Sequence, residues 1–581
     1  MPEIIIGIDL GTTNSEVAVV ENGRAVVIGD AGSQIVPSYV GVADDGQMLV
    51  GESAKNQYAV YPERTIKSIK RKMGSGERVQ LAGQEYSPQE ISAIILRRLK
   101  DKAEAYLGQA VSKAVITVPA YFNDAQRQAT REAGEIAGVE VVRIINEPTA
   151  AALAYEVENQ SRRHILVYDL GGGTFDVSLV KLEDDVVEVV ASHGNNHLGG
   201  DDFDEKILDL LVSHLHEQYD VDVRRDAKVV ARLLRVSEQA KKALSDQPFV
   251  NLEEEYLLEH RGQPIHLKLE LSRLDYEEMI TGFVDETLDA IHIALKSATL
   301  TVGDIDEILL VGGATRTPLI RERLEAVFSK QPRGEINPDL CVAMGAAVQA
   351  AINSGQTVST YLVDVTPYAF GTSAVGEIDG IPTFDQYVPI IHKNTPIPVS
   401  KTEAFQTMND GQEKVEVKIF QGENPIASSN IEIGNFMVEG LSDVPAGNSI
   451  LLKLALDLDG VLNVTAMEKD TGLEKSIRID NSIARLETKA LVAAKQRLEV
   501  LFDNDAPQDE VSRNDDVEQL KAQSQALIKK AENMLDSAAL EDKEDIIQLI
   551  ENIHDALRDN ACDALHAAME ELEDILYYME S

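Results

Sequence analysis

The sequence is poor in cysteine, in tryptophan and in long apolar runs. Its 581 residues include only two cysteines, Cys341 and Cys562, and no tryptophan. Two cysteines provide neither a disulfide framework nor a metal-ligand cluster, and such low usage is typical of a reducing compartment. No run of eighteen apolar residues occurs, and the start MPEIIIGIDLG lacks the basic and apolar segments of a signal peptide. We therefore expect a cytoplasmic protein that does not bind membranes.

Basic residues are also scarce relative to acidic ones. The chain has 54 lysines and arginines against 98 aspartates and glutamates, a formal net charge of −44. A surface this acidic repels nucleic-acid phosphates and anionic lipids, so the composition disfavours general binding to either. Hydrophobic residues make up 44% and charged residues 26%, which excludes a wholly disordered chain. The length predicts several domains, at least one of them with a large core.

The residue pattern divides the chain into four segments. Residues 1–356 alternate short apolar runs with amphipathic patterns and Gly-rich turns, which predicts an α/β domain. Residues 357–366 form a linker with an apolar centre, and a docking segment and an ordinary edge strand are equally supported there. Residues 367–481 have a period of two, which predicts an antiparallel β-sandwich. Residues 482–581 have the apolar spacing of helices and are strongly acidic.

Within the α/β segment, the clearest elements can be predicted individually. Apolar runs predict strands at Glu3–Leu10, Val111–Pro119, His164–Asp169 and Asp306–Val311. Amphipathic spacing predicts helices at Ser87–Ala105, Asp124–Ala137 and Asp275–Ala298.

Two similar Asp–Gly turns lie about 160 residues apart in this segment. Ile8–Thr13 and Tyr168–Thr174 each deliver an aspartate from a strand, then a glycine turn and a threonine. Glycines let backbone N–H groups cradle phosphate oxygens, and an aspartate beside a phosphate is useful when hydrated Mg²⁺ lies between them. One such turn is a common hairpin, but two related copies predict a nucleotide held from two sides. A P-loop is excluded because the chain has no Gly-Lys pair.

Longer stretches of the sequence resemble the seventy-kilodalton heat-shock chaperone (DnaK) family. They are IGIDLGTTNS, VITVPAYFNDAQRQATREAG, INEPTAAALAYE, YDLGGGTFDVS, HLGGDDFD, LVGGATRTP and NPDLCVAMGAAVQ, with VDVTP in the linker and KNTPIP, FQGEN and DGVLNVTA in the β-region. The resemblance weakens over the last hundred residues. It implies a multidomain protein: an actin-like (ribonuclease H-like) two-lobed α/β ATPase domain, a β-sandwich that binds extended apolar peptides, and a helical lid.

The resemblance also implies roles for individual residues around ATP or ADP, Mg²⁺ and K⁺. Catalytic roles are implied for Thr12, Lys70, Glu147, Asp169 and Thr174, and metal sites for Asp9, Asp169 and Asp176. Nucleotide contacts are implied for Gly11, Thr12, Thr13, Gly171, Gly172, Gly173, Gly200, Glu238, Lys241, Lys242, Ser245, Gly312, Gly313, Arg316 and Asp339. Lys70 corresponds to a lysine that helps to position the attacking water. Lys242 stands where some relatives have an arginine that stacks on adenine.

Further positions correspond to the peptide channel and to the surface between the domains. Peptide contacts are implied for Val375, Phe405, Met408, Val415 and Val417, and interdomain roles for Pro119, Arg127, Arg143 and Asp364. Ala446 stands where a lid-latching arginine is often found, and residues 376–394 include an insertion. A stretch between Lys70 and Ile116 is shorter than in many bacterial members. These departures favour the shorter, HscC-like bacterial branch.

The function that this resemblance implies is an ATP-dependent molecular chaperone. ATP binding and hydrolysis would switch the affinity of the β-domain for extended apolar segments of unfolded proteins. We expect a J-domain co-chaperone and a nucleotide exchange factor as partners, and a monomer that binds no nucleic acid. Two alternatives stay open: an actin-fold small-molecule kinase, and a non-hydrolysing exchange factor or binding module on the same fold.

Overall fold

A computed structural model describes most of the chain up to residue 503. The described residues are 4–29, 33–155, 162–183, 186–333, 336–356, 361–458, 460–479 and 488–503, with isolated positions at 543, 548–550, 552–553 and 572. The chain forms two compact units, residues 1–499 and 500–581. Most of the predicted lid lies outside the described residues, and the predicted boundaries at 356, 366 and 481 stay predictions.

Strands and helices alternate in the first 356 residues. The strands are β1 Ile5–Leu10, β2 Asn14–Glu21, β3 Arg24–Val27, β4 Val36–Pro37, β5 Val40–Val42, β6 Met48–Val50, β7 Thr65–Ile66, β8 Val79–Leu81, β9 Gln84–Tyr86, β10 Lys113–Val118, β11 Glu140–Asn146, β12 Arg163–Leu170, β13 Phe175–Glu183, β14 Val186–Asn195, β15 Phe249–His260, β16 Gln263–Ser272 and β17 Glu307–Val311. The helices are α1 Glu52–Tyr58, α2 Pro88–Leu107, α3 Asp124–Ile136, α4 Glu147–Tyr155, α5 Gly200–Tyr219, α6 Ala227–Asp246, α7 Arg273–Ser297, α8 Pro318–Phe328 and α9 Cys341–Asn353. The predicted strands and helices are confirmed to within a few residues.

The remaining described elements are mostly strands. They are β18 Tyr361–Val365, β19 Phe370–Ile378, β20 Ile381–Ile391, β21 Pro396–Ile397, β22 Val399–Gln406, β23 Lys414–Gln421, β24 Ile431–Glu439, β25 Ser449–Leu456, β26 Leu462–Glu468, β27 Glu474–Ile479 and the helix α10 Thr488–Asp503. Within the described part of the chain, no helix is both long and apolar enough to cross a membrane.

Two mixed sheets carry the α/β region. The first has the order β11-β10-β1-β2-β3, with β4 beside β2, and the second has the order β17-β12-β13-β14-β18-β21. The two predicted Asp–Gly turns occupy equivalent places, because β1–β2 and β12–β13 are both antiparallel hairpins. Helices α4 and α9 pack closely against each other: a Cβ on Gly345 would lie 1.6 Å from the backbone oxygen of Ala150. Only glycine permits this approach.

Residues 367–479 form two four-stranded antiparallel sheets around one apolar core. Their orders are β20-β19-β23-β24 and β22-β25-β26-β27. Side chains from both sheets are buried together, for example Ile419 from the first and Leu454 and Val464 from the second. The predicted period of two follows from this packing, since alternate residues of each strand face the shared core.

The sequence left two interpretations of the linker open, a docking segment and an edge strand. In the structure the linker is a strand that docks onto a sheet. Its strand β18 pairs in parallel with β14, with Tyr361 opposite Val186 and Val363 opposite Glu188. It also pairs antiparallel with β21, where Asp364 lies opposite Ile397. The linker is therefore a strand of the second mixed sheet that lies between β14 and β21 rather than at the edge, and this strand is how it docks. Residues 357–360 lie outside the described residues.

Candidate functional site

The two hairpin turns face each other across a pocket. Its empty volume is about 520 Å³, and it is lined by Asp9, Gly11, Thr12, Thr13, Asn14, Glu16, Lys70, Glu147, Asp169, Gly171, Gly172, Thr174, Val311, Gly312, Gly313, Pro338, Asp339 and Val342. The turns are in close contact, since a Cβ on Gly172 would lie 1.8 Å from Thr13 Oγ1. A side chain at residue 172 would fill the space between the turns. Because residue 172 is glycine, its backbone is left accessible to a ligand.

Buried acids surround one buried lysine in this pocket. Lys70 is 4% exposed and forms an ion pair with Glu147. Thr117 donates a hydrogen bond to Asp9 at 2.7 Å. Burial raises the pKa of Glu147 to about 7 and raises the pKa values of Asp9 and Asp169 above their ordinary range. Each carboxylate is thus costly to keep ionised without a nearby positive charge.

The donor set fits a hydrated cation. Asp169 Oδ2 is buried and has no hydrogen-bond partner among the residues that the structure describes. Nowhere in those residues do three acidic, histidine or cysteine side chains come close enough to hold an ion between them. Mg²⁺ suits such a place, because it retains several of its water molecules and is held by one or two carboxylates together with phosphate oxygens.

Asp176 lies behind the pocket rather than on its surface. It is buried, and its carboxylate accepts hydrogen bonds from the backbone amides of Ala120 at 3.0 Å and Tyr121 at 3.2 Å. Asp176 thereby connects the second hairpin to the segment that follows β10.

A second cavity adjoins the first at Thr13. Its empty volume is about 1020 Å³, and its lining includes Tyr39, Tyr58, Asp201, Glu238, Lys241 and Lys242. Glu238 accepts hydrogen bonds from Lys55 at 2.9 Å and Lys242 at 2.6 Å, and these two charges lower the pKa of Glu238 to about 2. Because Lys242 is engaged with Glu238, its ammonium is a polar neighbour of this cavity rather than a flat stacking surface.

Most of the residues predicted to contact nucleotide meet in these two cavities. Gly173, Gly200, Ser245 and Arg316 line neither of them. Gly200 accepts a hydrogen bond from Lys241 at 2.9 Å, Ser245 donates to the Lys241 carbonyl at 3.5 Å, and Arg316 donates to Asp339 at 2.8 Å. Gly200, Ser245 and Arg316 are therefore hydrogen-bonded to residues that line the cavities.

The sequence reasoning missed several charged residues of the cavities, among them Glu16 and Lys55. Lys55 reaches Glu238 across 183 residues of sequence, a contact that no local pattern reveals. Glu16 could have been predicted from the sequence. If the first Asp–Gly turn closes an antiparallel hairpin, Glu16 lies directly opposite Asp9, as the structure has it.

The predicted interdomain residues gather around the linker. Asp364 is 6% exposed and accepts hydrogen bonds from Asn146 at 2.8 Å and from Thr149 at 3.5 Å. Arg127 donates to Asn146 at 2.6 Å and to the Ala120 carbonyl at 3.0 Å. Pro119 is buried immediately before Ala120. Burial raises the pKa of Asp364, and the positive charges of Arg127 and Arg143 oppose that rise. The Asp364 carboxylate is thus hydrogen-bonded to Asn146, the residue that immediately precedes Glu147 of the pocket.

Contacts beyond the linker join the α/β region to the β-region. Tyr368 donates a hydrogen bond to the Tyr121 carbonyl at 2.8 Å, and the centres of the two rings are 4.8 Å apart. Lys393 donates to the Tyr121 hydroxyl at 3.2 Å. Tyr121 therefore touches the β-region with its side chain while its backbone amide holds Asp176.

The predicted peptide-contacting residues differ in exposure. Val375 and Met408 are 49% and 55% exposed, whereas Phe405 and Val415 are partly buried against the core of the sandwich. Val417 is only 5% exposed and belongs to that core. Val417 and Ile419 lie on the same inward face of β23, and the peptide contact of Val417 stays a prediction.

Comparisons with known proteins identify the family. The family model described as "Hsp70 protein" matches residues 5–80 and 75–581. The chain is 46% identical over 508 residues to "Chaperone protein DnaK" of Thermotoga neapolitana, covering 86% of this chain and 84% of that protein. Proteins of the same name from Thermotoga petrophila and Thermotoga maritima are 45% identical over the same length, with the same coverage of each chain. The chain belongs to the Hsp70 family, as predicted; its assignment to the HscC-like branch stays a prediction.

Proposed function

We propose that this Hsp70 chain is an ATP-dependent molecular chaperone, in which the nucleotide state of the pocket sets the affinity of the β-sandwich for extended apolar segments of unfolded proteins. The name of its relatives, chaperone protein DnaK, supports the chaperone activity. One structural observation carries the coupling: Asp364 of the linker is hydrogen-bonded to Asn146, next to Glu147 of the pocket. The fold in this proposal is an actin-like ATPase domain, the sandwich and a helical lid.

The chemistry we propose is phosphoryl transfer from ATP to water. Such a reaction depends on positioning and on neutralising phosphate charge more than on a strong base. Backbone amides of the two turns, with Thr12, Thr13 and Thr174, would hold the phosphates. Asp9 and Asp169 would hold Mg²⁺ through its water molecules, and the ion supplies positive charge to the phosphates. We also propose K⁺ near Asp176.

Lys70 and Glu147 have complementary roles in this proposal. The Lys70 ammonium, fixed by Glu147, would orient the attacking water and offset charge on the terminal phosphate. Neither residue needs to act alone as the proton acceptor. The nucleoside would occupy the larger cavity beside Glu238, Lys241 and Lys242. Asp339 of the first pocket would contact it as well.

Co-chaperones and location complete the proposal. We expect a J-domain protein to bind near Arg143 and the linker, with a nucleotide exchange factor as a further partner. We expect the protein to be a cytoplasmic monomer. Its client proteins would share an extended, apolar segment rather than a folded surface.

A single experiment separates this proposal from its two rivals. The rate of ATP hydrolysis is measured with and without an apolar heptapeptide and a J-domain protein. A chaperone is stimulated by both additions. A small-molecule kinase instead requires an acceptor such as a sugar or an acid, and a non-hydrolysing module shows no turnover under any of these conditions.

The missing arginine at Ala446 leads to a prediction about peptide release. Asp410 accepts a hydrogen bond from the Ala446 backbone amide at 2.8 Å, but an alanine side chain cannot add a charged contact to the lid. We expect Ala446→Arg to slow the dissociation of fluorescent peptides from the ADP form by roughly threefold to tenfold, as ~0.5–1.5 kcal/mol of latch energy implies. Unchanged dissociation for several unrelated peptides would show that this latch does not control the lid. Met408, which is exposed, acts in the opposite direction for peptides that it can cover.

Tyr368 leads to a second prediction, about communication between the domains. Tyr368→Phe removes the hydroxyl bonded to Tyr121 and retains the ring contact, a loss of about 0.5–1.5 kcal/mol. We expect weaker stimulation of hydrolysis by peptide at an unchanged basal rate. Tyr387→Phe, in which the lost hydroxyl bonds to Phe420 within the sandwich, is the control and should retain full stimulation.

A further inference from the structure

The pocket contains a buried carboxylate that the proposed reaction does not use. Glu16 lies on β2, is 2% exposed and lines the pocket. Its Oε1 atom has no hydrogen-bond partner within the part of the chain that the structure describes. An unsatisfied buried carboxylate is costly unless a ligand or an ion compensates it.

The surroundings of Glu16 indicate which kind of ligand. Glu16 stands directly opposite Asp9 in the β1–β2 hairpin, and side chains in such pairs lie on one face of the sheet with Cβ atoms about 4.5–5.5 Å apart. Asp339 adds a further negative charge, while Lys70 and Lys102 supply the positive charge that reaches Glu16. Lys70 is already engaged with Glu147. The carboxylates around Glu16 thus outnumber the lysines even before a nucleotide phosphate binds in the pocket.

We propose that Glu16 is a further cation-binding determinant of the nucleotide pocket, which strengthens binding of the hydrated divalent cation that accompanies the nucleotide. This inference rests on the proposed nucleotide function. Because no three such side chains in the described residues lie close enough for direct ligation, Glu16 acts through charge and through the water molecules of the ion. Its carboxylate repels nucleotide phosphates in the absence of the cation and attracts the cation in its presence.

The test measures the cation directly. Mn²⁺ binding to the ADP complex is followed by electron paramagnetic resonance for wild type, Glu16→Gln and Glu16→Asp. We expect Glu16→Gln to weaken Mn²⁺ binding roughly tenfold to a hundredfold, the effect typical of residues that hold ligands around a metal. Glu16→Asp retains the charge and should lose less. Glu21→Gln, at the partly exposed end of the same strand, is the matched control and should bind Mn²⁺ like wild type.

A second measurement separates this role from a merely structural one. In excess EDTA, Glu16→Gln should bind ADP more tightly than wild type, because a repulsive charge beside the phosphates is gone. A structural defect would instead weaken both ADP and Mn²⁺ binding, and that result, or equal Mn²⁺ binding by wild type and Glu16→Gln, would overturn the inference while leaving the nucleotide function intact. Failure of the wild-type protein to bind ADP under any condition would overturn both.

Discussion

Replacing Lys70 by alanine is expected to slow single-turnover ATP hydrolysis by about 10²-fold to 10³-fold, the cost of removing one positioned charge from a transition state. Nucleotide affinity should change only a few-fold, since the lysine contributes mainly when charge moves on the terminal phosphate. The rate is measured by rapidly mixing radiolabelled ATP with an excess of the protein. The affinity is measured by equilibrium binding of ADP. Thr174→Ala should have the same signature, because Thr174 lines the same pocket as Lys70.

The control for this experiment is Lys72→Ala. Lys72 lies two residues away and pairs with Glu77 on the surface at 2.8 Å, outside the pocket. It should hydrolyse ATP at the wild-type rate. Since Lys70→Ala also leaves Glu147 buried without its partner, ADP binding by the variant serves as the check that the pocket is still folded. Normal hydrolysis by a folded Lys70→Ala protein would contradict the role proposed for this lysine.

Asp364→Asn is expected to abolish the stimulation of hydrolysis by peptide and to leave the basal rate unchanged. One carboxylate oxygen of Asp364 accepts from the Val365 amide at 2.8 Å and the other accepts from Asn146 at 2.8 Å. An asparagine side chain offers one acceptor and one donor, so one of these partners is lost, at about 1–3 kcal/mol for a buried group. The negative charge near Arg127 and Arg143 is lost as well.

The measurement is the steady-state ATPase rate with and without saturating apolar peptide. Asp379→Asn is the matched control, because Asp379 is exposed in the turn between β19 and β20, outside the linker. Full stimulation of Asp364→Asn by peptide would rule out the linker carboxylate as the coupling group. A fall in basal rate would place Asp364 in the hydrolytic step instead.

Local patterns predicted the parts of this protein that depend on neighbouring residues. The strands, the long helices and the two hairpins that deliver Asp9 and Asp169 follow from spacing and turn residues. The family resemblance then supplied Lys70 and Glu147 as catalytic candidates. The structure pairs them across 77 residues, a contact that spacing alone could not predict. The resemblance, rather than the pattern, carried most of the candidate site.

The errors have physical reasons. The different exposure of Val415 and Val417 on one face of β23 was not predicted, because the depth of burial along that face is set by the opposite sheet. Lys55 was missed because its partner Glu238 lies in a distant helix. Glu16 was missed because an acidic residue in a buried strand was not weighed against its cross-strand neighbour Asp9.

The pairing of β18 with β14 has a consequence for association between molecules. An unpaired strand at the edge of a sheet offers free backbone groups to any other extended chain. Tyr361–Val363 covers the edge of β14 at Val186–Glu188, where two adjacent valines would otherwise lie at an open edge. The linker therefore also protects the edge of β14 from pairing with other chains. A fragment that ends before Tyr361, or a molecule whose linker has left β14, exposes this edge and gains a surface through which copies of the chain can pair.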